Sequence, residues 1–101
     1  MTLQELTGRE SGAVVYSDGS VWVGNWTSID GIPRKFCNFS VGLVEVLGEA
    51  ESCDVPEGAV DAMEVHERDV NGLDYKMDVS KVRALWLADH DVTVVYSLDW
   101  G

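Results

Sequence analysis

The sequence lacks the features that mark membrane-spanning and secreted proteins. No apolar run in its 101 residues approaches the roughly 18 that a membrane-spanning helix needs. Residues Met1 to Glu5 carry neither the basic nor the apolar region of a secretory signal, so we expect a cytoplasmic protein. The two cysteines, Cys37 and Cys53, are then expected to be reduced thiols.

Motifs for catalysis and for cofactor binding are missing as well. The two histidines, His66 and His90, have no second cluster of metal ligands near them in the sequence. There is no phosphate-binding glycine loop, and no spacing sets a nucleophile against a base. We therefore predict a protein that is not an enzyme and that has no metal or other cofactor.

The chain does contain enough apolar residues for one folded domain spanning residues 1–101, since 46% of them are hydrophobic. Thr2, with Glu5 three residues later, predicts the start of a short helical turn that Gly8 ends. A hairpin follows, because the β-rich segments Ala13–Tyr16 and Val21–Trp26 flank a turn at residues 17–20.

The sequence of the second half of the chain also predicts strands. Residues 36–47 are apolar and predict one strand, and the acidic residues 48–58 predict a loop. Asn71 and Gly72 favour a bulged hairpin of residues 63–69 and 73–79, with Gly72 left-handed. Met63 and Val65 would then lie on an apolar face, and Arg68 would pair with Asp74 on a charged face. Val92–Trp100 alternates as a strand.

Residues 81–88 allow two interpretations, a helix or a strand that pairs with Val92–Trp100. The fold class we predict is mainly β, a single small antiparallel barrel or sandwich of about five or six strands built from hairpins. The alternative is an α+β fold with one helix near residues 80–89.

The first hairpin, over residues 12–26, resembles one MORN unit. The residues that carry the resemblance are Gly12, Tyr16, Asp18, Gly19, Trp22, Gly24 and Trp26. Trp22 stands where that family usually has tyrosine. Since such units normally stack in arrays and this one occurs once, the resemblance implies hairpin geometry and little about function.

Two features suggest binding. Trp22 and Trp26 are an even number of residues apart, so they share one face of a strand and could stack a ligand if that face is exposed. The segment from Glu45 to Asp69 has nine acids and one base, and so holds most of the net charge of −11. Carboxylates at alternate positions of an extended chain lie about 6.5–7 Å apart, close to the spacing of successive phosphates.

These features lead to three functional hypotheses. The first is a small acidic binding protein, such as a phage or mobile-element inhibitor, that mimics nucleic acid and docks on the basic surface of a protein partner. It would contact neither nucleic acid nor membrane directly. Its docking residues would be Glu45, Glu49, Glu51, Asp54, Glu57 and Asp61. The second is a small-ligand or glycan-binding module that uses Trp22 and Trp26, and the third is a homo-oligomeric assembly protein.

Overall fold

The computed structural model describes residues 2–26, 44–49, 55–72 and 74–100. Its helices are α1 (Leu3–Thr7) and α2 (Glu57–Asn71), and its strands are β1 (Ser11–Tyr16), β2 (Val21–Asn25), β3 (Val44–Glu49), β4 (Val82–Leu87) and β5 (Val92–Ser97). Short 3-10 turns, Val79–Lys81 and Ala88–His90, precede β4 and β5. Residues 36–43 of the predicted strand 36–47 and the loop residues 50–54 lie outside the described residues.

The N-terminal elements agree with the sequence-based predictions. Thr2 caps α1, since its Oγ1 accepts a hydrogen bond of 3.1 Å from the Glu5 amide, and Gly8 ends the helix at a φ of 71°. β1 pairs with β2 as an antiparallel hairpin. At its turn Asp18 Oδ1 accepts hydrogen bonds from the Ser20 amide at 2.8 Å and from the Ser20 hydroxyl at 2.6 Å.

The prediction of a second hairpin at residues 63–79 is wrong, because residues 57–71 form the helix α2. Met63 is buried and Val65 is 50% exposed, whereas a strand of period two would place both side chains on the same face. Gly72 is left-handed as expected, with a φ of 69°, but it caps the helix, and its amide donates to the Arg68 carbonyl. The predicted loop 48–58 is shortened at both ends, by β3 and by α2.

In residues 81–88 the strand alternative is confirmed and the helix near 80–89 is wrong. Leu87 is paired with Val92, so β4 and β5 form an antiparallel hairpin. β5 itself ends at Ser97, earlier than the predicted Trp100.

The described strands form one five-stranded antiparallel sheet in the order β2-β1-β5-β4-β3. Within the described residues this sheet is open and has a helix on one face, so the fold is a mixture of helix and antiparallel sheet. The predicted antiparallel sheet is confirmed, and mainly β holds in part because α2 was not expected. The closed barrel and the sandwich are wrong for the described residues.

Both faces of the sheet are covered. On the first, α2 packs through Ala59 and Met63 against Ala13, Val82 and Val95. On the second, a further cluster joins residues of α1, the first hairpin and the central strands, namely Leu3, Val14, Trp26, Leu87, Val92 and Val94. β5 lies between β1 and β4 and supplies buried residues to both clusters, which makes it the centre of the domain.

Candidate partner-binding surface

The helix α2 turns a strongly acidic outer face away from the sheet. Its sequence holds five acidic residues and one arginine. Asp61, Val65 and Asp69 follow one another at intervals of four residues, and all three are exposed. In the part of the chain that the structure describes, neither Asp61 nor Asp69 has a hydrogen-bond or ion-pair partner.

Residues 74–77, which we call the return segment, run back along α2 after Gly72. The Glu64 carboxylate accepts a hydrogen bond of 2.9 Å from the Met77 amide. Arg68 donates through Nε to the Tyr75 carbonyl at 3.4 Å, a long contact. The helix thus supplies hydrogen bonds to backbone that has no neighbouring strand in the described residues.

The C-terminal end of the described chain helps to hold this arrangement. Trp100 is 9% exposed and donates from its indole Nε1 to the Tyr75 hydroxyl at 3.0 Å. The imidazole of His66, on α2, lies with its centroid 6.5 Å from that indole. The return segment is therefore held from both sides, by α2 and by Trp100.

A groove of about 370 Å³ opens between α2 and the return segment. Its lining brings two acids, two bases and one aromatic residue together, and these are Glu64, Arg68, Asp74, Tyr75 and Lys76. Among the described residues Asp74 and Lys76 have no hydrogen-bond or ion-pair partner, and Arg68 has only its contact with Tyr75. The groove therefore presents charges of both signs, and most of its charged atoms have no hydrogen-bond or ion-pair partner among the described residues.

The six predicted acidic docking residues do not form one extended segment. Glu45 and Glu49 lie on β3, in register with Trp86 and Arg83 of β4, while Glu57 begins α2. Glu51 and Asp54 lie outside the described residues. Because Glu57 and Asp61 are helical, the phosphate-like spacing of an extended chain does not apply to them, and residues four apart rise about 6 Å along the axis.

The tryptophans of the first hairpin pack onto glycines of the sheet. The indole of Trp26 lies over Gly12 and is 4% exposed, so it is a core residue. Trp22 is half-buried and lies over Gly24. Trp26 belongs to the core cluster that includes Leu3, and Trp22 packs against that cluster. The condition for a stacking surface, an exposed tryptophan face, is therefore not met at Trp26, because its side chain is buried in the core.

Other side chains singled out in the sequence contribute less. Cys37 and Cys53 lie outside the described residues. His90 lies in the turn between β4 and β5. Among residues 2–26, 55–72 and 74–100, no three His, Cys, Asp or Glu side chains are placed to share a metal ion. No helix in the same residues is long and apolar enough to cross a membrane.

The sequence interpretation missed the groove because it assigned its residues to the two strands of a hairpin. That hairpin would have paired Arg68 with Asp74 across its charged face. The sequence also carries a helical pattern beside the hairpin pattern, since Ala59, Val60 and Met63 follow a helical spacing in a segment rich in Glu, Ala and Met.

No protein-family model, no curated protein and no solved structure matches the chain. The resemblance of residues 12–26 to a MORN unit therefore stays a prediction.

Proposed function

We propose that this chain is a non-enzymatic binding protein that docks its acidic surface on a basic surface of a partner protein. The observation that carries the proposal is the outer face of α2, where the exposed carboxylates of Asp61 and Asp69 have no partner among the described residues. Val65, 50% exposed, lies between them and offers an apolar contact at the centre of the surface.

The electrostatics favour this mode of binding. A net charge of −11 creates a field that attracts basic surfaces over distances of about a Debye length, roughly 8–10 Å at physiological salt. Once the surfaces meet, carboxylates that lose their water form charge-assisted hydrogen bonds with arginine and lysine. Long-range attraction would raise the association rate, and the paired carboxylates would supply specificity.

The partner class that fits is a protein whose basic surface normally holds nucleic acid. Such a groove presents arginine and lysine side chains spaced to meet a row of negative charges. A small acidic protein that occupies it would act as an inhibitor, and phages and mobile elements have use for such inhibitors. Nucleic acid and the acidic protein would then compete for the same site.

The experiment that tests the proposal is affinity capture from cells of the source organism at low and high salt, with matched charge-reversal variants. Asp61→Lys/Asp69→Lys reverses the proposed surface. Glu10→Lys/Asp89→Lys changes the net charge equally at exposed positions away from α2. Wild type and the control pair should retain the same protein at low salt and lose it at high salt, whereas the α2 pair should not retain it.

The captured partner, once purified, should dissociate from this protein when nucleic acid is added. Capture that ignores salt, or that both variant pairs weaken equally, would contradict a docking surface on α2. Retention unaffected by nucleic acid would keep the docking surface and reject the proposed class of partner.

A further inference from the structure

We infer that the groove between α2 and the return segment receives an acidic side chain of the partner, so that the docking surface recognises a mixed-charge polypeptide and not a uniformly basic one. The inference rests on the proposed function and adds the chemistry of one contact. Its basis is the pair of cations, Arg68 and Lys76, that line this groove.

The geometry holds the first cation at the groove wall. Arg68 lies on α2, and its Nε donates to the Tyr75 carbonyl. This contact ties the guanidinium to the return segment. The two terminal nitrogens of Arg68 have no partner among the described residues, so they keep the donors that bind a carboxylate in a bidentate manner.

The second cation comes from the return segment itself. Lys76 is exposed, lines the same groove and has no partner among the described residues. A volume of about 370 Å³ is ample for one carboxylate side chain with bound water. An acidic side chain that enters the groove would meet both cations.

The acidic residues of the groove favour basic residues next to the partner's acidic side chain. Asp74 has no partner among the described residues, and the Oε2 of Glu64 is occupied by the Met77 amide. Basic residues of the partner that flank its acidic residue would therefore contact Asp74 and the α2 residues Asp61 and Asp69. A uniformly basic partner would instead place like charges against Arg68 and Lys76, and such contacts weaken association.

Two synthetic peptides test the inference on the full chain. One has six lysines around a central glutamate, and its match has glutamine at the centre. Attraction by net charge alone predicts that the glutamine peptide, which carries one more net positive charge, binds tighter. The groove predicts the reverse order, with the glutamate peptide about two- to fivefold tighter, the range of one surface ion pair. Dissociation constants are measured at low salt from the NMR shifts of the Tyr75 to Met77 amides.

Lys76→Gln should abolish the preference for glutamate, since its side chain has no structural partner to lose among the described residues. Lys81→Gln changes the net charge equally at an exposed site that does not line the groove, and it should keep the preference. A glutamine peptide that binds wild type equally or better overturns the groove inference and leaves the proposed function standing. If neither peptide binds at low salt, both fail.

Discussion

At the scale of single residues, two small residues set the shape of the first hairpin. Gly12 lets the indole of Trp26 lie directly on β1, and Ser20 closes the turn through two hydrogen bonds to Asp18. Each position has a specific consequence because the neighbouring atoms are fixed by the sheet or by the turn.

Gly12→Ala should destabilise the protein by about 1–3 kcal/mol, the usual cost of overpacking a core. A Cβ at this position would lie 2.7 Å from Cη2 of Trp26 and 2.5 Å from the Val95 carbonyl oxygen, which is backbone and cannot rotate away. Gly58→Ala is the matched control, since its Cβ meets nothing within 4 Å and alanine favours the helix. Urea unfolding measures both variants, and a Gly12→Ala midpoint equal to that of wild type would contradict the packing described for Trp26.

Ser20→Ala should raise the pKa of Asp18 towards its ordinary value. The Ser20 side chain and then the Ser20 amide, by hydrogen bonding to the carboxylate, hold that pKa below the usual range. A carboxyl whose pKa is lower in the folded state stabilises the fold above its unfolded pKa of about 4, and the stabilisation is lost as the pH falls through the folded pKa.

Stability should therefore depend less on pH below about 4 in Ser20→Ala than in wild type. Carbon-detected NMR titration reads the pKa directly. Ser80→Ala is the control, because Ser80 holds the pKa of Asp78 low in the same way and should leave Asp18 unchanged. An Asp18 pKa that does not move in Ser20→Ala would show that the Ser20 hydroxyl does not hold it low.

At the scale of elements, the important contact is between α2 and the return segment. The segment belongs to no helix or strand and pairs with none of the described strands. The side chains of Glu64 and Arg68 supply hydrogen bonds to its backbone instead. This contact also forms the groove, and stability and binding are therefore linked at Glu64.

Glu64→Ala should destabilise the protein by about 1–2 kcal/mol, because it leaves the part-buried Met77 amide without its acceptor. Glu64→Gln keeps an oxygen at the same place and should cost less than half as much. Chemical denaturation gives the free energies of unfolding, and hydrogen exchange at the Met77 amide should quicken in the alanine variant only. Equal losses in the two variants would mean that the negative charge, and not the hydrogen bond, stabilises the return segment.

At the scale of the whole molecule, charge opposes folding. The chain has eighteen acidic and seven basic residues. Several of the exposed carboxylates on α2 and the return segment have no ion-pair partner in the described residues. Self-repulsion of this kind destabilises the compact state, and salt screens it.

The melting temperature should accordingly rise by a few degrees between about 0.05 and 0.5 M sodium chloride, since about 1 kcal/mol shifts it by 4–8 °C in a domain of this size. Asp61→Asn/Asp69→Asn removes two of the unpaired charges and should show a smaller rise. Thermal unfolding followed by circular dichroism makes the comparison. A melting temperature that falls with salt would contradict uncompensated repulsion.

Elements that depend on neighbours in the chain were predictable from the sequence. The cap at Thr2, the hairpin of β1 and β2, and the left-handed Gly72 each follow from residues a few positions apart. The pairing of β4 with β5 across a short turn was one of two open interpretations. The acidic charge near α2 was also visible in the sequence, although its geometry was not.

Only the tertiary structure decided between helix and hairpin for residues 57–71. Both interpretations give an apolar face, at Ala59 and Met63 for the helix and at Met63 and Val65 for the hairpin. The helix is selected because the sheet face of Ala13, Val82 and Val95 buries Ala59 and Met63 and leaves Val65 in solvent. That face exists only once β1 has joined β5 from the far end of the chain, a contact that no local pattern records. The groove follows from the same choice, since it needs the helix on one side and the return segment on the other.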